Sequence, residues 1–277
     1  MTPLASIENV SKHFGDASAP AIASLSAAIK PGQVTGLVGP DGAGKTTLIR
    51  LIAALLTPNE GRIDVCGLDT IRETSAVHAS IGYMPQRFGL YEDLSVMENL
   101  VLYAELKGVA LSERKATFDR LLAFTDLARF TDRLAGKLSG GMKQKLGLAC
   151  AMLKLPRLLL LDEPSVGVDP ISRRELWRMV YDLVHDGVGV VWSTAYLDEA
   201  ENCTEVIVLH EGKVLFEGDP KALTATMDGR VFHVRGAGAE RRKLLASALR
   251  RPEIIDGVLQ GEAVRLVIAK EAATPTS

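Results

Sequence analysis

Aromatic residues make up only 5% of this 277-residue sequence, and cysteines number three, Cys66, Cys150 and Cys203. Three is odd, and the spacings are too long for a metal-ligand set, so a disulfide framework is not expected and a reducing compartment fits. Long apolar runs are missing as well. Stretches such as Leu158 to Leu161 and Ile52 to Leu56 fall far short of the ~20 residues that cross a bilayer. The first residues carry no basic region followed by an apolar run, so no signal peptide is expected. Charge of one sign is also lacking: 32 Lys and Arg against 34 Asp and Glu leave −2. That balance argues against a general electrostatic grip on nucleic acid or acidic lipid. No repeat of 20–50 residues is visible. What the chain does have is 47% hydrophobic and 24% charged residues, enough for a packed core in one large domain with room for a small appendage.

The first third reads as strands and turns. Leu25, Ala27 and Ile29 alternate with polar or small neighbours before the Pro31-Gly32 turn, and Val34 to Val38 has the pattern of a buried strand. A glycine-rich segment then precedes a helix expected over Thr46 to Leu56, with strands at Arg62 to Cys66 and Ile81 to Met84. From Leu94 the texture turns helical. Ser95 and Glu98 have capping-box spacing, Gly108 ends that helix, and Arg114 to Phe124 forms another. Strand and helix alternate again through Leu158 to Leu161, a helix opened by Asp169-Pro170, and Val188 to Trp192. Val206 to Leu209 and Lys213 to Glu217 read as a hairpin around His210-Glu211-Gly212. Beyond Gly229 the order is strand (Val231 to Arg235), helix (Arg241 to Leu249) and two strands (Ile254 to Leu259, Val264 to Ile268).

Two segments carry chemistry. Gly39-Pro40-Asp41-Gly42-Ala43-Gly44-Lys45-Thr46-Thr47 matches G-x-x-x-x-G-K-[ST], between a strand pattern and a helix pattern. Its glycines let backbone N–H groups converge on phosphate oxygens, and the helix that follows offers its N-terminal partial charge. Lys45 can reach the β- and γ-phosphates and the Thr46 hydroxyl can ligate Mg²⁺. In the second segment, Asp162 and Glu163 end the apolar run Leu158 to Leu161. At the carboxyl edge of a parallel sheet Asp162 would face the magnesium and its waters, and Glu163 would polarise a water toward the γ-phosphate. Two solvated acids at a strand end would look the same in isolation. No Asn-Lys-x-Asp occurs, so guanine recognition of the GTPase type is unsupported.

Between these segments lies Leu138-Ser139-Gly140-Gly141-Met142-Lys143-Gln144. With it, the sequence resembles the ATPase subunit of ATP-binding-cassette (ABC) transporters over roughly residues 4 to 225. The resemblance implies an α/β fold: a P-loop NTPase core of the ABC ATPase type, an antiparallel β subdomain, a helical subdomain insertion at about 91–150, and a small C-terminal α+β appendage. The cassette would span residues 1–228, the appendage 229–270, and a tail or linker 271–277. ATP and Mg²⁺ are the implied cofactors, with Gly39 through Thr47 holding the nucleotide. Ser139, Gly140 and Gly141 look like the signature that binds the γ-phosphate held by an opposite cassette. Gln86 matches the glutamine that contacts metal and attacking water, so the implied metal set is Thr46, Gln86 and Asp162 and the implied catalytic pair Glu163 and Gln86. Phe14 occupies the place of an aromatic that stacks on adenine, and Ser165 to Asp169 is similar to the loop that crosses the cassette interface.

Gly82 to Gln86, Gly167 to Pro170 and Tyr196 to Glu201 resemble drug- and ABC-2-type exporter ATPases. Gly39 to Lys45, with Asp41 where Asn or Ser is usual, is similar to the N-terminal half of exporter ATPases that carry two cassettes in one polypeptide. The implied partners are a second cassette, as a homodimer or a tandem half, and integral membrane permease subunits, with no nucleic acid. The implied place is the cytoplasmic face of the cell membrane, as a peripheral protein. One departure stands out. The family's switch histidine should follow Ser193-Thr194, and this chain has Ala195 there. A methyl group donates no hydrogen bond to a γ-phosphate, and losing one such donor costs about 3–4 kcal/mol of barrier. The expectation is a site that binds ATP and turns it over poorly. Two other readings stay open: a soluble ABC ATPase acting on ribosomes or nucleic acid, and a nucleotide-sensing subunit without catalysis.

Overall fold

Proline and glycine punctuate the first strands. β1 (Ala5–Lys12) and β2 (Ile22–Ile29) pair antiparallel, and Pro31-Gly32 turns the chain into β3 (Val34–Val38), every residue of which is buried. The structure is a computed structural model and describes residues 2–15, 19–87, 89–225, 229–235 and 240–269; the tail expected from residue 271 lies outside them. After the glycine-rich loop, α1 (Lys45–Ile52) ends four residues before the expected Leu56, because Ala54 turns to a φ of 55°. β4 (Glu60–Val65) and β5 (Leu68–Asp69) complete a four-stranded antiparallel sheet of order β2-β1-β4-β5.

α2 (Thr74–Ser80) leads into β6 (Ile81–Met84), and a helical stretch follows with α3 (Val96–Leu106), α4 (Leu111–Thr125) and α5 (Gly140–Ala151). The capping box forms: Ser95 Oγ accepts the Glu98 N–H at 3.2 Å and the Glu98 carboxylate accepts the Ser95 N–H at 2.7 Å. Next come β7 (Leu158–Leu161), α6 (Pro170–His185), β8 (Gly189–Thr194), α7 (Leu197–Ala200), β9 (Glu205–His210) and β10 (Lys213–Gly218), and then α8 (Pro220–Ala225).

β10-β9-β3-β8-β7-β6 form one six-stranded sheet, parallel except at the β10–β9 pair. A parallel sheet is covered on both faces, which is why its strands are continuous apolar runs. Successive side chains alternate between two cores. Leu159, Leu161, Val190 and Trp192 pack with Leu100, Leu121, Leu146 and Val180 of the helices. Leu158, Leu160 and Val191 pack on the other face with Ile49 of α1 and Ile7, Leu25 and Ile63 of the antiparallel sheet. The parallel register pairs Val38 with Thr194, Trp192 with Leu161, and Leu161 with Met84. The carboxyl ends of four adjacent strands therefore finish together, which is where open α/β sheets place their ligands.

The chain divides into two units, Met1–Pro220 and Lys221–Ser277. In the second, β11 (Val231–Val234), α9 (Arg241–Ala248), β12 (Ile254–Gln260) and β13 (Ala263–Ile268) form a small α+β fold, with the antiparallel sheet ordered β11-β13-β12. Leu244, Leu245 and Ala248 of the helix pack on Ile254, Val264 and Leu266 of the sheet.

Candidate functional site

The loop from Gly39 to Gly44 joins β3 to α1, so the first backbone N–H groups of the helix open toward the end of the sheet. Gly44 holds a φ of 106°, and a Cβ there would lie 2.6 Å from the Ala21 carbonyl oxygen, so both its conformation and its space require glycine. Asp41, Gly42, Gly44, Lys45, Thr46 and Thr47 line a pocket of about 270 Å³ together with Ala21, Gln86 and Glu163. Phe14 lies in an adjoining pocket of about 530 Å³, which shares Ala21 and Gly42 with the first.

Inside the pocket the polar groups form one network. The Lys45 ammonium is buried; it donates to Gly39 O at 2.8 Å and Pro40 O at 3.1 Å and stands 3.1 Å from Glu163 Oε1. Gln86 Nε2 donates to Glu163 Oε2 at 2.7 Å. The Thr46 hydroxyl donates to Asp162 Oδ1 at 3.1 Å. Asp162 is almost fully buried, and burial pushes its carboxyl pKa up against the hydrogen bonds from Ser193 and Thr46. Its second oxygen, Oδ2, is buried with no hydrogen-bond partner. Among the described residues no group of three or more His, Cys, Asp or Glu could cage a metal. One free carboxylate oxygen beside one hydroxyl instead suits a Mg²⁺ ion that keeps most of its waters and shares phosphate oxygens.

Ser139, Gly140 and Gly141 are not among the pocket-lining residues. Ser139 caps α5, its Oγ accepting the Met142 N–H at 3.3 Å. A Cβ on Gly141 would come within 2.4 Å of Ser172 Cβ on α6, so this glycine is what allows the two helix starts to touch. Asp169 caps α6 by accepting the Ile171 and Ser172 N–H groups, each at 3.0 Å.

Five residues at or packed near the β8 end, Trp192, Ser193, Thr194, Glu199 and Arg173 of α6, were given no role from sequence. Ser193 links Asp162 to the Glu163 backbone. Thr194 Oγ1 donates to the buried Glu199 carboxylate at 2.6 Å and accepts the Tyr196 N–H at 3.0 Å, so the segment is tied on both sides of the exposed Ala195. Trp192 Nε1 also donates to Glu199, at 3.2 Å, and its ring stacks on Trp177 of α6 with centroids 4.0 Å apart. The Arg173 guanidinium is 3.6 Å from the other Glu199 oxygen and lies over the Tyr196 ring. The only sequence signal of Trp192, Ser193, Thr194 and Glu199 is a position at, or soon after, the end of a strand; Arg173, inside α6, carries none.

The family model described as ABC transporter matches residues 22–166, just over half of the chain. The probable multidrug ABC transporter ATP-binding protein YbhF of Escherichia coli (strain K12) is 58% identical over 266 residues, 96% of this chain and 46% of YbhF. The daunorubicin resistance ATP-binding protein DrrA3 of Streptomyces coeruleorubidus is 36% identical over 274 residues, 92% of this chain and 86% of DrrA3. The chain belongs to the ABC transporter family. It is an ATP-binding protein, and the cassettes of this ABC ATPase family bind ATP with Mg²⁺. The fold agrees with solved cassettes. An ATP-binding subunit of an ABC transporter aligns with a TM-score of 0.72 at 28% identity, covering 80% of this chain and 92% of that one. The dimeric post-hydrolysis state of the cassette MJ0796 bound to ADP and Pi aligns at 0.71 and 27%, covering 78% and 98%. The cassette spans just under half the length of YbhF. Among its described residues no helix is long and apolar enough to cross a membrane.

Proposed function

We propose that this cassette binds and hydrolyses ATP to energise export through a separate membrane permease, paired with a second cassette, on the cytoplasmic face of the membrane. The observation that carries the reading is the convergence of Lys45, Thr46, Gln86 and Glu163 on one pocket at the aligned strand ends, with buried Asp162 hydrogen-bonded to Thr46. In this reading the loop amides from Gly39 to Thr47 grip the phosphates, and Phe14 receives the adenine. Lys45 moves from the Gly39 and Pro40 carbonyls to the β- and γ-phosphates. Glu163, oriented by Gln86, accepts a proton from the attacking water. Thr46, Asp162 and Gln86 hold Mg²⁺, which when bound neutralises charge building on the phosphates. Residues 1–228 act as the cassette and residues 229–270 as an appendage.

Pairing is supported by the dimeric cassette to which this chain aligns and by the length of YbhF, of which it matches 46%. The pair is a homodimer or two cassettes of one polypeptide, with this chain resembling the N-terminal one. The exposed N-terminus of α5 at Ser139 then completes the partner's site. Ala195 weakens the chain's own site, since nothing at that position donates to a γ-phosphate. It also favours a second reading, a nucleotide-sensing cassette with little catalysis.

Calorimetry and turnover assays test both. The purified chain is expected to take up Mg·ATP and hydrolyse it slowly, Lys45→Ala to lose uptake, and Ala195→His to gain up to about a hundredfold in rate. Vigorous turnover by the unaltered chain would exclude a weakened site. An Ala195→His chain that stays silent, alone and with a partner cassette, would favour sensing.

A further inference from the structure

Asp162 and Glu163 are adjacent in sequence, Glu163 lining the pocket and Asp162 hydrogen-bonded to the Thr46 that also lines it, and each needs a different orientation. Asp162 needs one oxygen left free for a cation. Glu163 needs its backbone turned so that its side chain faces Lys45 and Gln86, and it achieves this with a φ of 49°, in the left-handed region that a non-glycine residue occupies only when its surroundings hold it there. A single side chain meets both needs. Ser193, fully buried at the end of β8, donates its hydroxyl proton to Asp162 Oδ1 at 2.8 Å, and its oxygen accepts the Glu163 N–H at 2.8 Å.

We propose that Ser193 is the positioning residue of this nucleotide site: its hydroxyl turns Asp162 so that Oδ2 alone is left for the metal, and it pins the strained Glu163 backbone. The asymmetry of the carboxylate supports this. Oδ1 already accepts from both Ser193 and Thr46, whereas Oδ2 is buried and has no partner. A buried carboxylate oxygen without a donor is costly, and it persists where another ligand uses it. Removing the Ser193 hydroxyl frees the carboxylate to rotate and leaves the Glu163 N–H buried without an acceptor. Lys45 and the loop amides, which meet phosphate directly, are untouched.

The inference rests on the ATP-binding reading above, and its test separates the two. ATP affinity is measured by calorimetry on the full chain, once in Mg²⁺ and once in EDTA. Ser193→Ala is expected to shrink the Mg²⁺-dependent gain in affinity roughly tenfold while leaving the EDTA value unchanged. Ser193→Thr, which keeps the hydroxyl, is expected to retain the gain. Ser193→Cys, similar in shape but a weak donor, is expected to fall between and serves if the alanine variant folds poorly. Equal losses with and without Mg²⁺ would mean a merely structural serine and overturn the proposal, as would an undiminished gain in Ser193→Ala. No ATP uptake by any form, the unaltered chain included, would instead overturn the reading of the phosphate loop.

Discussion

Adding a single methyl group at Gly141 tests whether the signature glycine is there for packing. An ideal Cβ at this position lies 2.3 Å from Ser172 Oγ and 2.4 Å from Ser172 Cβ. Non-bonded carbons settle at about 3.5–4.0 Å. Turning the Ser172 rotamer moves the oxygen but not the Cβ, so one helix start must shift by roughly 1 Å. Two effects then compete. Alanine gains up to about 1 kcal/mol over glycine in a helix, less in a first turn, whereas forcing atoms into a packed contact costs about 1–3 kcal/mol. The contact wins because the offending atom is fixed to the backbone of α6, which Asp169 caps. Gly141→Ala is therefore expected to destabilise by about 1–2 kcal/mol, lowering Tm by a few degrees. Ser172→Gly removes both close atoms, so the double variant should recover about 1 kcal/mol relative to the sum of the single changes, read by urea unfolding as a double-mutant cycle. A neutral Gly141→Ala, or strict additivity in the cycle, would refute the packing argument.

Two further changes probe the scaffold. Ser95→Ala removes one half of the capping box on α3 and is expected to cost about 1 kcal/mol, against a few tenths for Ser95→Gly, measured by urea unfolding. Glu205 is held below the ordinary carboxylate range by hydrogen bonding to Lys30, then Gln33. A depressed acid contributes stability above its unfolded pKa and loses it as pH falls through the folded one. Glu205→Gln should thus lower stability slightly at pH 7, by at most about 1 kcal/mol for a solvent-accessible pair, read as a small drop in Tm. The gap from the unaltered chain should close in acid; a gap constant across pH would count against the pairing.

Much of the core was legible because its period is plain. The all-apolar runs at β3 and β7, the Asp169-Pro170 start of α6 and the Ser95–Glu98 box each rest on a local rule that the tertiary structure does not oppose. Elements were missed where packing or an irregularity overrides the local signal. β1 escaped because its register with β2 shifts between Ile7 and Val10, around an Asn9 with a φ of 48°, so its buried residues do not alternate. α2 buries only Val77 and offers no stripe to read. α5, by contrast, was expected only through the resemblance of its signature, since it opens on two glycines, poor helix formers that local propensity rejects and the contact with α6 requires. At the site, the glycine loop and the two acids announced themselves as contiguous segments. Ser193 did not, because its partner Asp162 lies 31 residues away in sequence and only the parallel register of β7 and β8 brings them together, and the Arg173–Glu199 pair depends on how α6 packs against the chain after β8.

The stacked pair of Trp192 and Trp177 has a practical consequence. These are the only two tryptophans in the chain, and both belong to the cluster that ties the strand carrying Ser193 and Thr194 to α6. Intrinsic fluorescence therefore originates almost wholly from one spot, where an indole N–H bonded to a carboxylate sets the emission colour and ring overlap sets its intensity. The molecule carries its own optical gauge at this corner, and a displacement of either ring can be followed in milliseconds without attaching a dye.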